Sequence, residues 1–538
     1  MATSLVSPLS SEAVERGGRG REWGFAAGLV TALTLLALAV HGYHPYAEDG
    51  GIYLPEIKRL LRPELYPHGS EFVVDHLRFS IFAPVMAELV RWSHLRVETV
   101  LLLVHLASFW TTLFAAWMLA ARCYESRESR VGAVSLLAVW ITLPVAGTSL
   151  MLMDPYVTAR SLSTPCALLA LVGALEFLLP WHGAERRGAQ AWRGLVLCCG
   201  ALALAAAMHP LMAAYGFGCV VVLGCVASDS RQVRILGTAS LCVTALAVAA
   251  ALQLLAVPES AGYRSVVMTR YYWFLSEWHW YELVGLAAPL MILAVVAFGR
   301  RALSRQEGDD AARVGLTRTM LVAGITAVVV SVLFARIGLA AHPVARLQPL
   351  RIFQLVYVVM ILIVGAALAE WVLRRSAIRW IAAFSLLSMV MVVVERRTFP
   401  DSAHLELPVA SPWVQLKNPW KQAFVWISRN TPEDALFALD AHYITSPGED
   451  AQGFRAIAER SALPDYSKDG GMVSTRPEIT AEWMTGQTAQ TGLSAETDAA
   501  RLAALRPLGV SWVVLDRSAK TGFRCDYANE AVQVCRLP

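Results

Sequence analysis

The segment HGYHPYAEDGGIYLPEIKRLL, His41 to Leu61, follows the first of a series of long apolar runs. It joins an acid pair, Glu48-Asp49, to a Gly50-Gly51 step and then to a short amphipathic pattern. Tyr53, Leu54, Ile57, Leu60 and Leu61 share one helical face, with Lys58 and Arg59 opposite. A helix of this kind lies in the interface plane of a membrane. Carboxylates at the mouth of a multi-span bundle are placed to act on a lipid-borne substrate that soluble enzymes do not reach.

Around this loop the 538-residue chain is 56% hydrophobic, with a mean hydropathy of +0.49 and only 16% charged residues. Soluble domains carry about 25%. The apolar residues concentrate in runs of roughly 17 to 23, long enough to cross a hydrocarbon core of about 30 Å as helices. Lipid tolerates neither open loops nor sheet edges, so the runs are expected to be helical. The sequence predicts a polytopic α-helical membrane protein with about eleven crossings. They are placed at 24–41, 98–121, 131–153, 164–180, 194–208, 211–227, 235–257, 283–299, 319–335, 352–373 and 379–395. The break between 194–208 and 211–227 rests on Met208-His209-Pro210. Residues 79–92 are apolar but short for a crossing, and are read as a re-entrant or surface-lying helix.

Orientation follows from arginine. Residues 1–23 form a basic lead, expected in the cytoplasm, and the first apolar run reads as a retained anchor. Alternate loops are arginine-rich, with Arg122, Arg127 and Arg130, then Arg186, Arg187 and Arg193, then Arg300, Arg301 and Arg305. The transmembrane part spans 24–395, with an outer loop at 42–97. An odd number of crossings places 396–538 outside, in the periplasm or extracellular space. That segment has a soluble composition and reads as a small α/β domain. Cys525 and Cys535 flank a hairpin turn there, and an outside location permits a disulfide between them. The other seven cysteines sit in or beside apolar runs, as small buried hydrophobes do. No Cys/His metal spacing appears. The net charge of +4 is spread over connecting loops and forms no nucleic-acid groove.

The unusual polar residues collect on the expected outer side. Besides Glu48 and Asp49 these are His44, Asp75, His76, Asp154, Arg160, His209, Arg264, Arg270, Arg346, Arg351 and Gln354. Outer arginines run against the positive-inside bias. Each is explained either by lipid head groups or by an anionic leaving group such as a lipid-linked phosphate. The acid pair either caps the helix that follows it or supplies a general base. It could also hold a divalent metal. The aromatic set Tyr271, Tyr272, Trp273, Trp278, Trp280 and Tyr281 reads as an interface belt or as a sugar-stacking surface.

The layout resembles the GT-C superfamily of membrane glycosyltransferases. The resemblance rests on YAEDGGIYLPEIKRLL (Tyr46–Leu61), on DPYVTARSLS and RLQPLRIFQ, and on the order of spans, amphipathic helices and C-terminal domain. It implies sugar transfer from a polyprenyl-phosphate or polyprenyl-diphosphate donor in a bacterial inner membrane, with Asp49 or Glu48 as the base. An adjacent Glu-Asp stands in place of the family's Asp-x-Asp, which leaves metal dependence open. A WWD-type motif is absent, which argues against protein N-glycosylation. Two other readings remain at this stage. A transporter or flippase of lipid-linked substrates would place ionisable groups within spans, where Glu176 and Gln253 are among the few polar residues. A non-catalytic scaffold would need neither the acid pair nor the outer arginines.

Overall fold

The computed structural model describes residues 8–74, 79–179, 187–299, 309–407, 417–443 and 453–538. Asp75, His76, Arg186, Arg300, Arg301 and Arg305 lie outside the described residues. In chain order the main helices as far as Asn430 are α1 (Pro8–His41), α2 (Gly50–Leu61), α3 (Phe82–Ser93), α4 (Val97–Cys123), α5 (Arg127–Val139), α6 (Ala159–Leu178), α7 (Arg187–Met208), α8 (Pro210–Val226), α9 (Thr238–Leu255), α10 (Ala261–Met268), α11 (Trp280–Phe298), α12 (Asp309–Phe334), α13 (Phe353–Leu368), α14 (Ala377–Thr398) and α15 (Pro419–Asn430), and the tail adds shorter ones at Phe454–Ala458, Lys468–Val473, Thr480–Gln490 and Asp498–Leu505.

Among the described residues nine helical stretches are long and apolar enough to cross a membrane. They fall in α1, α4, α6, α7, α9, α11, α12, α13 and α14. The chain is a multi-pass membrane protein. The count of about eleven is not confirmed, because two of the expected runs are not long uninterrupted helices. α8 is apolar but has only 17 residues. The run 131–153 is not one helix. α5 ends at Val139 after 13 residues, about 20 Å of helix, and Pro144 then pairs with Met151 in an isolated bridge. Irregular backbone survives at such depth only where protein covers it and satisfies its polar groups. Here Val145 donates to Leu150, Leu152 to Leu143 and Met153 to Ile141. The Gln354 amide closes the set by donating to the Leu152 carbonyl at 2.7 Å. Composition cannot distinguish this buried hairpin from helix, because both are apolar.

Small residues bring the helices together. A Cβ on Gly132 of α5 would stand 2.6 Å from the Gly365 carbonyl of α13. α6 packs against α4, α7 and α8, and Leu168, Leu171 and Val172 are fully buried on it. α9 and α14 leave most of their apolar surface facing outward, where lipid would cover it.

The C-terminal part carries a five-stranded sheet of order β2-β1-β3-β5-β4. Its strands are β1 (Leu436–Ala438), β2 (Ser461–Ala462), β3 (Trp512–Asp516), β4 (Arg524–Ala528) and β5 (Val532–Arg536). β1 runs parallel to β2 and β3, while β5 is antiparallel to β3 and β4. Cys525 and Cys535, opposite one another on β4 and β5, form a disulfide.

α2 joins the two parts. Tyr53, Leu54 and Ile57 share one apolar cluster with Phe82 of α3, Phe424 of α15, Phe437 of β1 and Trp512 of β3. Lys58, expected on the polar face, is buried as well. Its ammonium donates to the Ala456 carbonyl at 2.8 Å and pairs with Glu459 at 2.8 Å. The tail covers both faces of α2, so this helix is a buried wedge and does not lie free in the interface.

Candidate active site at the first loop

The loop after α1 is folded tightly against α6 and the tail. Tyr43 pairs with the backbone of His404 and Glu406, and the His44 amide donates to the Pro155 carbonyl at 2.8 Å. Glu48 has a left-handed backbone, φ 48°, unusual for a residue with a Cβ. Gly50 follows because space requires it: a Cβ there would lie 2.4 Å from the Pro45 carbonyl. The turn sends the two acids to different partners. Glu48 pairs with Lys468 of the tail. Asp49 sits at the N-terminus of α2 without capping it through its side chain, and meets Arg160.

Arg160, the second residue of α6, is buried between two carboxylates. Its Nη1 donates to Asp49 Oδ2 at 2.8 Å and its Nη2 to Asp154 Oδ2 at 3.0 Å. Thr158, whose side chain belongs to the capping box of α6, also donates to Asp154 at 3.4 Å. The two acids differ in access: the Asp154 side chain is 6% exposed and that of Asp49 is 31% exposed. Burial pushes the Asp154 carboxyl above its ordinary value, against the pull of Arg160. Asp49 is therefore the accessible carboxylate and Asp154 the buried one that orients Arg160.

Arg351 completes the cluster. It lies within electrostatic range of Arg160, Asp49, Tyr215 and Tyr272. Its Nε is buried and, among the described residues, has no hydrogen-bond partner. Gln348 has φ 48° and turns the chain just before it, and the Tyr215 hydroxyl holds that corner by donating to the Gln348 carbonyl at 2.9 Å. Tyr53 is buried within electrostatic range of Arg160, Asp49, Asp154 and Arg351. Tyr271, half-exposed, lies within range of Glu48 and packs edge-on against Tyr272 with ring centroids 5.8 Å apart. A cavity lined by Gly51, Ile52, Tyr443, Arg455, Lys468 and Asp469 lies between α2 and the tail.

The remaining expected site residues have partners within the protein. His209 caps α8 through the Met212 amide at 3.3 Å. Arg264 donates to the carbonyls of Leu339 and Ile337, both at 2.9 Å. Arg270 donates to Ser467 at 2.9 Å and anchors the tail. Arg346 sits over the Tyr263 ring, 5.8 Å from its centroid. Gln354 holds the buried hairpin, and His44 lies between Glu395 and Glu406. Asp49, Asp154, Arg160 and Arg351 are thus the expected residues that the fold gathers. In the sequence Tyr53 reads only as part of an apolar helix face, and nothing marks Tyr215 or Lys468. Lys468 gave no signal, standing 420 positions from its partner.

Among the described residues no group of three or more His, Cys, Asp or Glu side chains could hold a metal ion. Asp49 and Asp154 instead share one guanidinium, and Glu48 turns to Lys468. The described donors therefore do not fit a divalent cation.

The fold has a counterpart among solved structures. The chain is similar to the apo crystal structure of the Archaeoglobus fulgidus oligosaccharyltransferase, with a TM-score of 0.50 and 12% sequence identity over 91% of this chain and 69% of that one. A second structure of that enzyme, with zinc and sulfate, matches at a TM-score of 0.43 and 13% identity, covering 91% and 68% of the two chains. At these identities the likeness is one of fold. No protein-family model and no curated protein sequence matches the chain.

Proposed function

We propose that the chain is an integral membrane glycosyltransferase that moves a sugar from a polyprenyl-phosphate-linked donor to an acceptor hydroxyl. One observation carries this reading: Asp49, an accessible carboxylate, sits 2.8 Å from Arg160 and within electrostatic range of Arg351, whose buried Nε has no partner among the described residues. Base and anion site lie together, as displacement at an anomeric carbon requires.

In this reading Asp49 takes the proton of the acceptor hydroxyl while its oxygen bonds to the anomeric carbon. The bond from that carbon to the phosphate oxygen breaks, and the phosphate leaves with the electron pair. Arg351 offsets the charge that develops on it. Arg160 aims Asp49, and Asp154 offsets part of the Arg160 charge. Tyr271 and Tyr272 offer ring faces on which a sugar can stack. We place the chain in a bacterial inner membrane with 1–23 cytoplasmic, 24–395 spanning and 396–538 periplasmic. The arginine pattern supports this, and so does the Cys525–Cys535 disulfide, which persists in an oxidising compartment.

The test is release of polyprenyl phosphate from a panel of glycosyl polyprenyl phosphates by the purified full-length protein. Asp49→Asn is expected to fold normally and to lower the rate by about 10²–10⁴-fold. A wild-type rate in that variant removes Asp49 as the base, and no turnover of any donor by the wild type removes the transferase reading.

A further inference from the structure

His44 is fully buried, and both its ring nitrogens meet carboxylates. Nε2 lies 2.9 Å from Glu395 Oε1 and Nδ1 lies 3.3 Å from Glu406 Oε1. A neutral imidazole has one N–H and one lone pair, so it would turn a lone pair toward one of these acceptors. Only the imidazolium donates to both. His404 repeats the pattern: Nδ1 lies 2.9 Å from Glu395 Oε2, and Nε2 lies 2.9 Å from the Ala39 carbonyl. Neither a carboxylate nor a carbonyl can donate in return.

These four side chains tie separate elements together. Ala39 and His44 belong to the end of α1 and the loop beyond it, Glu395 to the end of α14, and His404 and Glu406 to the connection into the tail. Lys421 of α15 continues the chain, 2.6 Å from Glu406 and 2.9 Å from the Ser402 hydroxyl. Phe399 stacks on the His44 ring at 4.1 Å and shields it. The other charged or titratable neighbours include Arg396, 3.7 Å from Glu395, His41 and His105, from α1 and α4, and Tyr43 and Tyr46, within electrostatic range of Glu406.

We infer that His44, Glu395, His404 and Glu406 form a proton-binding clamp that fastens the tail to the membrane-spanning helices when both nitrogens of His44 are protonated and loosens when that proton leaves. Burial works against the His44 charge, but Glu395 and Glu406 outweigh it and raise the group above the ordinary histidine value. A raised histidine contributes its full stabilisation below about pH 6.5 and loses it as pH climbs through the folded value. The clamp also bears on the first loop. The His44 carbonyl accepts from Ala47, and its amide donates to Pro155, the neighbour of Asp154. The inference stands whether or not Asp49 is a base.

The apparent Tm of the full-length protein in detergent, measured from pH 6 to pH 9, tests it. The wild type is expected to lose about 2–4 °C over that range beyond any loss in His44→Gln. That variant starts lower at pH 6. Glu395→Gln, which takes away one of the two carboxylates that hold the His44 proton, removes part of the slope and serves if His44→Gln does not fold. Deuterium uptake over residues 42–53, corrected for the intrinsic rate, rises with pH in the wild type alone. Parallel Tm curves for the wild type and the folded variants overturn the clamp. So does a wild-type Tm at pH 6 that falls on adding EDTA, because a metal would then hold the cluster.

Discussion

Arg160 Nη1 lies 2.8 Å from Asp49 Oδ2, although the two residues are 111 positions apart. The same guanidinium holds Asp154 at 3.0 Å. One buried cation thus fixes an accessible carboxylate and a buried one, and its removal strands both. Arg160→Gln is expected to destabilise the protein by about 3–5 kcal/mol, the cost of leaving buried charge uncompensated. Adding Asp154→Asn should recover part of that loss. A pair of melting curves checks this, and a double variant no more stable than Arg160→Gln would deny the coupling.

Glu48 and Asp49 are neighbours with different duties. Glu48→Gln and Lys468→Met each break the contact between the first loop and the tail. Both are expected to raise the KM for the acceptor more than they lower kcat, whereas Asp49→Asn lowers kcat. Equal losses of kcat in Glu48→Gln and Asp49→Asn would mean that the left-handed turn at Glu48 does not divide the two roles.

The two arginines of RLQPLR should separate as well. Arg351→Gln is expected to weaken donor binding by about 10–100-fold, the effect of losing one charge-assisted hydrogen bond to phosphate. Arg346→Gln, away from the cluster over Tyr263, is expected to change it little. Isothermal titration with a polyprenyl phosphate distinguishes them. Equal weakening would return Arg346 to the anion site.

On the acid side, Glu406 titrates opposite to His44. Burial would raise its carboxyl, but Lys421 and His44 hold it down at about 2. A depressed carboxyl stabilises above its unfolded value and loses that contribution as pH falls through the folded one. The contribution is therefore complete above about pH 4.5 and lost between there and pH 2. Glu406→Gln is expected to flatten the acid limb of the stability curve, read as apparent Tm from pH 6 to pH 3. An unchanged acid limb would show that other carboxylates control it.

Close packing gives a sharper test of the fold. Gly132→Ala puts a methyl 2.5 Å from Ala369 Cβ and 2.6 Å from the Gly365 carbonyl, and is expected to cost about 1–3 kcal/mol. Gly200→Ala meets nothing within 4 Å and should be neutral or slightly stabilising. Thermal unfolding of the two variants side by side checks the α5–α13 contact. Equal melting temperatures would refute it.

By itself the sequence determined the membrane class, most crossings and the turn at His209-Pro210. These depend on the length of apolar runs and on where proline and charge interrupt them, and both are local properties. It also marked the first-loop acids, because two carboxylates beside a span stand out against an apolar background. The tertiary structure alone decided the rest. Run 131–153 and an uninterrupted helix share one composition, and only the bonds to the Leu143 and Ile141 carbonyls and from the Gln354 amide show which backbone is helical and which is a hairpin. The choice of Arg351 over Arg346 turns on the left-handed Gln348, which reorients the chain between them. Lys58 became a buried residue because the tail packs over its helix. Lys468, His404 and Glu395 acquired their roles from contacts hundreds of positions away in sequence, and electrostatic partnership depends on distance in space, which no local pattern records.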